Sequence, residues 1–567
     1  MRRCAIARIR NSHQSRNRDR AESGRKRICL WIWLAWLLVA AALPVAAWGQ
    51  TKGQIQWIRQ FGSSRDDFGY GVAADASGNI YIAGYTLGAL PSQTSTGWSD
   101  AFVRKYNASG TELWTRQFGS SSPDFALGVT ADASGNVYVA GYTYGVLPGQ
   151  ISAGYTDAFV RKYDASGTEL WTRQFGSSSY EAATGVAADA SGNIYVAGYT
   201  GGVLPGQTRA STGYPDAFVR KYDASGTEIW TRQFGSSTDD LALGVAADAS
   251  GNVYVAGYTY GVLPGQTSPG STDAFVRTYD ASGTELWTHQ FGSSSADIAS
   301  GVTADASRNL YVAGQTYGTL PDRTSAGWSD AFVRKYDASG TELWTRQFGS
   351  ASYEAATAVA ADASGNTYVA GYTWGALPGQ TGAGRGDAFV RKYDASGTEL
   401  WTFQFGSSSD DVAFGVAADA PGNIYVAGHT YGALPGQISA GFFDAFVVKL
   451  VEYTPVAIDI KPGGFPNSIN LGSGGSVPVA ILSSATFDAT TVNPRTVTLA
   501  GASVALRGNG TPNASIQDVN GDRRLDLLVH VPAAALQLSR TDTLATLTGQ
   551  TYSGQWIQGS DSVRIVP

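Results

Sequence analysis

The feature that most constrains this chain is a sevenfold internal repeat over residues 55–450. A W-x-x-Q-F-G motif recurs every 57 residues, with one interval of 59, and a D-A-F-V motif recurs in step with it. Repeats of several tens of residues are typical of arrays and propellers, in which each unit buries its apolar face against the next. The two repeated positions are Trp57, Trp114, Trp171, Trp230, Trp287, Trp344 and Trp401, and Asp100, Asp157, Asp216, Asp273, Asp330, Asp387 and Asp444.

Each copy contains four short stretches with strand patterns and no helical periodicity. Their alternation and their β-branched and aromatic residues favour strands, and the intervening D-A-S-G sequences favour tight turns. In one representative copy the predicted strands cover residues 112–118, 128–133, 137–143 and 157–163. Four strands per copy predict one blade of a β-propeller per copy.

The two ends of the repeat region complement each other. The first copy begins at residues 55–61 without a preceding D-A-F-V strand, and the last ends at 444–450 without a following E-L-W strand. If the first strand pairs beside the last, the ring closes and no blade edge is left unpaired. The sequence therefore predicts an all-β fold, a seven-bladed β-propeller over residues 55–450 closed by its N-terminal strand.

Two longer units recur in the copies and resemble a known repeat. They read G-x-x-x-D-A-S-G-N-x-Y-x-A-G-Y-T and D-A-F-V-R-K-Y-D-A-S-G-T-E-L-W. Together they resemble the bacterial SBBP repeat, named for a seven-bladed β-propeller. This resemblance implies an exported propeller, and it carries no catalytic residue over to this chain.

The first 50 residues have the character of an export segment. Ten basic and two acidic residues give them a charge of +8, and an apolar run follows at residues 28–47. A basic start, an apolar run and small residues after it mark a secretory signal, although about 20 apolar residues can also span a bilayer. We expect residues 1–49 to be a signal peptide or an uncleaved anchor, and the remainder to be secreted, at the cell surface or in the periplasm.

The composition of the remaining residues excludes several functions. They hold 30 basic and 44 acidic residues, and an acidic body without a basic stripe argues against nucleic acid as a partner. Both cysteines, Cys4 and Cys29, lie in the first 50 residues, so the rest of the chain has no disulfide or thiolate chemistry. No G-x-S-x-G, H-E-x-x-H or P-loop motif is present. We interpret three histidines as tolerated variation: His289, His429 and His530.

Two sets of acidic residues repeat with the copies, one ten and the other eighteen residues after each tryptophan. Rings of carboxylates are potential Ca²⁺ ligands, whereas an aspartate that opens a D-A-S-G-N turn commonly caps that turn. For the second set we favour turn capping. Its members are Asp75, Asp132, Asp189, Asp248, Asp305, Asp362 and Asp419.

The repeat stops after Leu450, and a different module follows. Residues 451–456 predict a short linker, and residues 457–567 predict a small antiparallel β-sandwich from their alternating apolar and polar runs. The sequence I-D-I-K-P-G-G-F-P-N-S-I-N, the run V-P-V-A-I-L and the closing 21 residues resemble a C-terminal module of exported microbial proteins. That resemblance leaves the role of the module undefined.

One stretch of this module has the spacing of metal ligands. Asp518, Asn520, Asp522 and Asp526 place oxygen atoms at positions 1, 3, 5 and 9 of a calcium-type loop. Arginine at position 6 and valine at position 12 exclude an EF-hand. Two interpretations stay open: a looser Ca²⁺ loop between two strands, or a polar hairpin whose aspartates cap the backbone. Ca²⁺ is the one cofactor suggested by the sequence.

The long loop before each D-A-F-V strand carries aromatic residues. Exposed aromatic rings repeated around a ring could stack on sugars and gain avidity from weak sites. Alternatively, they wedge between blades or cover the Leu-Pro corner of the loop. The candidate ligand-binding residues are Tyr144, Tyr260, Tyr317, Trp374 and Tyr431 at the first loop position, and Trp98 and Trp328 at a later one.

The near-identity of the copies argues against catalysis, because an active site needs unlike residues brought to one place. We therefore expect a monomeric, non-enzymatic scaffold or binding protein whose partner is a protein or glycan at the cell surface. No membrane contact is expected beyond the N-terminal segment. A multivalent carbohydrate-binding protein is the alternative, and a polysaccharide-active enzyme with paired carboxylates is a third hypothesis.

Overall fold

The computed structural model describes residues 53–210 and 214–566, and their regular structure is almost entirely β. Within these ranges the only helical elements are two 3-10 turns, Ala489–Thr491 and Ala533–Ala535. No helix in the described part of the chain is long and apolar enough to cross a bilayer. The expected signal peptide or anchor at residues 1–49 lies outside the described residues.

Seven four-stranded antiparallel sheets form the blades. The strand β1 (Gly53–Phe61) comes first in the chain. Blades 1 to 3 are β2 (Asp67–Ala74), β3 (Ile80–Thr86), β4 (Asp100–Tyr106) and β5 (Glu112–Phe118); β6 (Asp124–Ala131), β7 (Val137–Thr143), β8 (Asp157–Tyr163) and β9 (Glu169–Phe175); and β10 (Glu181–Ala188), β11 (Ile194–Thr200), β12 (Asp216–Tyr222) and β13 (Glu228–Phe234). Blades 4 to 6 are β14 (Asp240–Ala247), β15 (Val253–Thr259), β16 (Asp273–Tyr279) and β17 (Glu285–Phe291); β18 (Asp297–Ala304), β19 (Leu310–Thr316), β20 (Asp330–Tyr336) and β21 (Glu342–Phe348); and β22 (Glu354–Ala361), β23 (Thr367–Thr373), β24 (Asp387–Tyr393) and β25 (Glu399–Phe405). Blade 7 consists of β26 (Asp411–Ala418), β27 (Ile424–Thr430), β28 (Asp444–Pro455) and β1.

The blades are arranged in a ring. Within each blade the four strands are neighbours in the order 1-2-3-4. The first strands of adjacent blades contact each other, and the contact of β2 with β26 completes the circle. The first strands therefore line the central axis, the fourth strands are outermost, and the predicted seven-bladed propeller is confirmed.

Ring closure occurs through the two ends of the repeat region. The strand β1 pairs antiparallel with β28, with Trp57 opposite Lys449 and Phe61 opposite Ala445. Each sequence copy is thus offset from a blade by one strand, since the E-L-W strand of one copy completes the blade of the copy before it. The closure predicted from the complementary ends is confirmed.

The propeller core lies between neighbouring blades. The third strand of each of blades 1 to 6 is buried at every position, including the Arg that each carries and the Lys that five of them carry. At one seam Arg104 of blade 1 forms an ion pair with Glu112 at 3.3 Å and lies over the ring of Phe61 of blade 7 at 4.0 Å. A buried guanidinium is stable here because it has both a carboxylate and an aromatic face.

The first strand differs from its prediction. In blade 2 it begins at Asp124, four residues before the predicted start, because Asp124 pairs with Thr143 of the second strand. The pairing register shifts between Ala126 and Gly128. At this bulge only glycine fits on the partner strand, since a Cβ on Gly141 would collide with the carbonyl oxygen of Phe125.

The C-terminal residues form three further sheets around one core. The sheets share the buried side chains of Val479, Val529, Val497, Leu547 and Ile557. The ten strands are β29 (Ile458–Ile460), β30 (Ser468–Asn470), β31 (Ser476–Ile481), β32 (Val492–Leu499), β33 (Ala502–Ser503), β34 (Ala514–Gln517), β35 (Asp526–Pro532), β36 (Leu544–Thr551), β37 (Trp556–Ser562) and β38 (Arg564–Val566). One sheet has the order β29-β31-β35-β34, and a second continues from β28 as β37-β36-β32-β33. The third consists of β30 paired in parallel with β38.

The segment predicted as a linker, residues 451–456, is instead the extension of β28 through Pro455. Glu452 pairs with Gly53, and Tyr453 pairs in parallel with Trp556. Two different strands thus supply the hydrogen-bond partners of this segment, which keep it extended. One strand runs from blade 7 into the C-terminal sheet.

Candidate functional site

The propeller has two chemically different faces. The loop face carries the long connections between second and third strands, such as residues 87–99, and the connections between blades. The turn face carries the short hairpins of D-A-S-G type, such as residues 75–79 and residues 107–111, where asparagine replaces the aspartate. The long connections of the loop face differ in sequence between copies, whereas the turn-face hairpins are nearly identical.

The aspartates of the turn face hold their turns, as predicted. Asp75 accepts hydrogen bonds from the backbone N–H groups of Ser77 and Asn79, both at 2.9 Å. Its second oxygen accepts from Asn79 Nδ2 and from the hydroxyl of Tyr81, both at 2.8 Å. Burial raises the pKa of Asp75, but these hydrogen bonds outweigh burial and bring the pKa below its ordinary value. These acids have a structural role.

The other repeated acids are buried at the seams between blades. Asp67 accepts from the backbone N–H of Ser63 at 2.6 Å, and Asp444 of the preceding blade lies on the other side of Gly62. Burial raises the pKa of Asp67 to about 6, with a further contribution from the charge of Asp444. The set is shut off from solvent and comprises Asp67, Asp124, Glu181, Asp240, Asp297, Glu354 and Asp411.

The candidate aromatic residues all lie exposed on the loop face. Those at the first loop position are 44–52% exposed, and Trp98 and Trp328 are 80% and 83% exposed. The backbone N–H of Tyr144 donates to the carbonyl of Pro123, and that of Trp374 donates to Tyr353, which holds these residues beside the central opening. Such exposure does not fit the alternative of buried wedges between blades.

A second set of aromatic residues was missed by sequence reasoning. Tyr142 is the one residue of β7 that is not buried, and its ring stacks on Phe125 at 4.8 Å between centroids. Phe125 in turn contacts Tyr85 of blade 1 at 4.6 Å. The sequence pattern that could have revealed this set is the tyrosine of A-G-Y-T, which recurs on the second strand of five blades. The second set comprises Tyr85, Tyr142, Tyr199, Tyr258 and Tyr372, with Gln315 and His429 at the equivalent positions of the other two blades. We call this set, together with the five candidates at the first loop position, the aromatic mouth.

Two depressions open on the aromatic mouth. The smaller is about 300 Å³ and includes Tyr142, Tyr144, Tyr155 and Tyr199 in its wall. The larger, about 600 Å³, is lined by Tyr353, Tyr372, Trp374, Val412, Phe414 and His429. The structure therefore brings Tyr144 and Trp374 into concave surfaces, whereas Trp98 and Trp328 line neither depression.

The candidate calcium loop is the connection of the β34–β35 hairpin. Asp518 accepts from the backbone N–H groups of Gly521 and Arg523, at 2.8 and 2.9 Å. Asn520 accepts from the N–H of Asp522. Among the described residues, no three His, Cys, Asp or Glu side chains form a group that could hold a metal ion.

Asp526, the fourth candidate ligand, is buried and accepts from the N–H groups of Ser483 and Val519. Asp522 accepts from the backbone N–H of Arg524, and that hydrogen bond holds the pKa of Asp522 below its ordinary value. Every candidate ligand therefore caps backbone N–H groups within the module. Calcium binding by this loop stays a prediction.

Comparisons with known proteins agree with the fold. A family model described as the SBBP beta-propeller repeat matches seven times, at residues 56–91, 113–148, 170–205, 229–264, 286–321, 343–378 and 400–435. The chain is 23% identical over 550 residues to an uncharacterized WD repeat-containing protein, L264, of Acanthamoeba polyphaga mimivirus, covering 73% of this chain and 39% of that protein. It is 26% identical over 414 residues to the regulatory protein FlaEY of Caulobacter vibrioides, covering 63% of this chain and 43% of FlaEY. The chain thus spans about two fifths of the length of these relatives.

Solved structures are more distant. A fungal alcohol oxidase of the AA5 family is 14% identical with a TM-score of 0.40, covering 90% of this chain and 99% of the oxidase. Sqt1 from Chaetomium thermophilum is 10% identical with a TM-score of 0.38, covering 70% of this chain and 99% of Sqt1. Similarity at this level carries no argument about activity. The closed ring of blades shows that the chain contains a seven-bladed β-propeller, and the SBBP beta-propeller repeat model matches once in each of its seven sequence copies.

Proposed function

We propose that this chain is an exported, non-enzymatic binding protein that recognises its partner with the aromatic mouth of the loop face. The observation that carries the proposal is the set of half-exposed rings around one opening, held by backbone hydrogen bonds to a closed ring of sheets. Aromatic side chains offer large contact areas at a low cost in conformational entropy. A rigid frame further reduces the entropy lost on binding.

Burial of the repeated acids supports a non-enzymatic role. A glycoside hydrolase needs two carboxyl groups facing one bound sugar. The paired acids at the blade seams, such as Asp67 with Asp444, are fully buried and cannot meet a polymer. The third hypothesis, a polysaccharide-active enzyme, therefore has no support from these pairs.

Export is proposed from the sequence of the first 50 residues. Their basic stretch and apolar run have the pattern of a secretory signal. The absence of cysteine from the rest of the sequence removes thiols that an oxidising compartment would act on. N-terminal sequencing of protein recovered from the medium and from the membrane distinguishes a cleaved signal from an anchor.

Glycan binding is a second candidate, and the outer aromatic residues favour it. Trp98 and Trp328 are 80% and 83% exposed, and each projects from a different blade. Flat, solvent-exposed rings are suited to stacking on sugar faces, and several weak sites on one ring would gain avidity on a polymer. This candidate predicts that binding depends on the outer residues more than on the mouth.

The test compares matched variants on an array of cell-surface glycans and peptides from secreted proteins. The mouth variant carries Tyr144→Ser, Tyr260→Ser and Tyr431→Ser. The control carries Leu113→Ser, Leu286→Ser and Leu343→Ser, which remove residues of 50–54% exposure from the turn-face ends of three fourth strands. We expect the mouth variant to lose the signals of the wild type and the control to keep them.

A third variant, Trp98→Ser with Trp328→Ser, separates the two candidates. Loss of glycan signals in this variant alone would favour the lectin hypothesis over recognition by the mouth. Equal signals from the wild type and the mouth variant would contradict the proposed function. Thermal unfolding of each variant checks that the fold is kept.

A further inference from the structure

Three residues that depart from the repeat meet at one place on the mouth. His429 stands where five other copies have tyrosine, and Trp374 stands where four copies have tyrosine. Phe414 occupies the bulge of β26, where the equivalent residue is Leu, Thr or Ser in five copies. All three line the 600 Å³ depression between blades 6 and 7. The sevenfold symmetry of the molecule is therefore broken where a pocket exists.

The walls of this depression are mainly ring faces. Tyr353 and Tyr372 lie 6.0 Å apart at an interplanar angle of 19°, and Phe414 lies 5.4 Å from His429. No Asp, Glu, Lys or Arg is among the described residues that line it. An uncharged, aromatic wall favours an uncharged ligand that offers a flat apolar surface.

The wall of the depression offers few polar groups, and some of these already have a hydrogen-bond partner within the protein. The hydroxyl of Tyr353 already shares a hydrogen bond with the hydroxyl of Tyr317 at 2.7 Å. A sugar would need partners for many hydroxyl groups, and each unpaired hydroxyl would lower its affinity. The indole N–H of Trp374 and the imidazole of His429 can serve one or two polar atoms at most. This shortage favours an aromatic ring over a sugar.

His429 supports this choice of ligand. Phe68, Phe414 and Phe443 surround its ring at 4.8–5.4 Å between centroids, and burial lowers the pKa of His429 to about 4. The imidazole is therefore neutral at pH 7. Its Nδ1 atom is buried and makes no hydrogen bond to the described residues. The ring thus acts as a neutral aromatic wall beside the ligand.

We propose that the depression between blades 6 and 7, here called the blade 6–7 pocket, binds an uncharged aromatic ring of the size of phenol or indole. The ring could belong to a free compound or to a Tyr or Trp side chain of a peptide. This inference rests on the proposed function, since it assumes that the loop face is a binding surface. It adds the chemical class of the ligand and its place on the mouth.

The experiment uses saturation-transfer NMR to measure the binding of four probes to the full chain: indole, phenol, a capped Gly-Trp-Gly peptide and cellobiose. Two variants, Trp374→Tyr and Phe414→Ser, install residues that stand at the same positions in other copies, so both are compatible with the fold. Leu127→Ser makes the same kind of change at the equivalent bulge of blade 2 and is the matched control. We expect about tenfold weaker indole binding in each pocket variant and unchanged binding in the control.

Each outcome has one meaning for the pocket. Binding of indole and peptide, weakened by both pocket variants, supports an aromatic side chain of a peptide as the occupant. Binding of indole or phenol without peptide supports a free aromatic compound. No binding of either ring, or ring binding that neither pocket variant weakens, overturns the proposal. Because the mouth variant changes other residues, the array experiment can still succeed when this one fails.

Discussion

At the scale of single residues, aspartate has two roles, and the surroundings of each aspartate decide which of the two it has. Asp75 lies at an open turn, where hydrogen bonds from Ser77 and Asn79 lower its pKa despite burial. Asp67 lies at a seam between blades, where burial raises its pKa to about 6. Both aspartates cap backbone, but only Asp67 brings a carboxyl group close to a second buried acid. The seam acids therefore couple the stability of the ring to pH.

The seam acids predict a propeller that gains stability below neutral pH. Burial raises the pKa of Asp67, Asp240 and Asp411 to about 6, above the ordinary 3.8, so the folded state binds protons more tightly. Above pH 6 these buried acids are charged, and the full cost of burying the charge lowers the free energy of unfolding. As the pH falls from about 6 toward 3.8, the folded state takes up protons and this cost is removed. We expect a higher unfolding temperature near pH 5 than at pH 7.5, measured by calorimetry.

Substitution of a seam acid is the matched check of this pH effect. Asp240→Asn keeps the shape of the side chain and removes its titration, so the difference between pH 5 and pH 7.5 should shrink. Asp223→Asn, at an exposed turn where hydrogen bonds lower the pKa of the aspartate, should leave the difference unchanged. An unfolding temperature that falls steadily from pH 7.5 to pH 5 would contradict the assignment.

At the scale of strands, each blade binds the next through its third and fourth strands. Lys335 and Trp344 of blade 5 both donate to the carbonyl of Ala395, in the outer turn of blade 6, at 3.1 and 3.2 Å. Blade 7 lacks this turn, because β28 continues toward the C-terminal sheet. At that seam the carboxylate of Glu452 replaces the missing carbonyl, since it accepts from Lys392 at 2.7 Å and from Trp401 at 2.8 Å.

Removal of this carboxylate should weaken the seam between blades 6 and 7. Glu452→Ala leaves the buried ammonium of Lys392 and the indole N–H of Trp401 without their acceptor, and we expect a loss of about 1–3 kcal/mol in unfolding free energy. Glu452→Gln keeps an acceptor but loses the charge, and should cost less. Denaturant unfolding measures both variants, and equal midpoints for Glu452→Ala and the wild type would refute the role of Glu452.

At the scale of the whole molecule, a closed ring joins the two ends of the repeat region. The strand β1 completes blade 7 and buries Ile58 and Phe61 against it. The strand β28 carries the same sheet on to β37 of the C-terminal module. Blade 7 is thus where ring closure and attachment of the module meet. Loss of β1 would expose the edge of β28 and open the ring.

A peptide-complementation experiment tests the closure. A chain that begins at Gly62 should unfold at a lower temperature than one that begins at Thr51, since it loses about 3–6 kcal/mol from the burial of Ile58 and Phe61. Added peptide G-Q-I-Q-W-I-R-Q-F, the sequence of β1, should restore the temperature. The same peptide with serine at the Ile58 and Phe61 positions should not. An unchanged unfolding temperature of the shortened chain would contradict closure by β1.

The sequence by itself determined the number of blades, the closure and most strand bounds. Turn chemistry and alternating polarity are local signals, so the strands Glu112–Phe118, Val137–Thr143 and Asp157–Tyr163 were predicted residue for residue. Because each local pattern occurs in seven copies, the repeat identified the strands and turns more securely than a single copy would.

Only the tertiary structure decided the features that depend on residues far apart in the chain. The early start of β6 follows from its pairing with β7, and the extension of β28 follows from partners in β1 and β37. The blade 6–7 pocket likewise combines side chains of different strands and blades. Contacts of this kind depend on packing between blades, and a repeat pattern read along one copy does not contain that information.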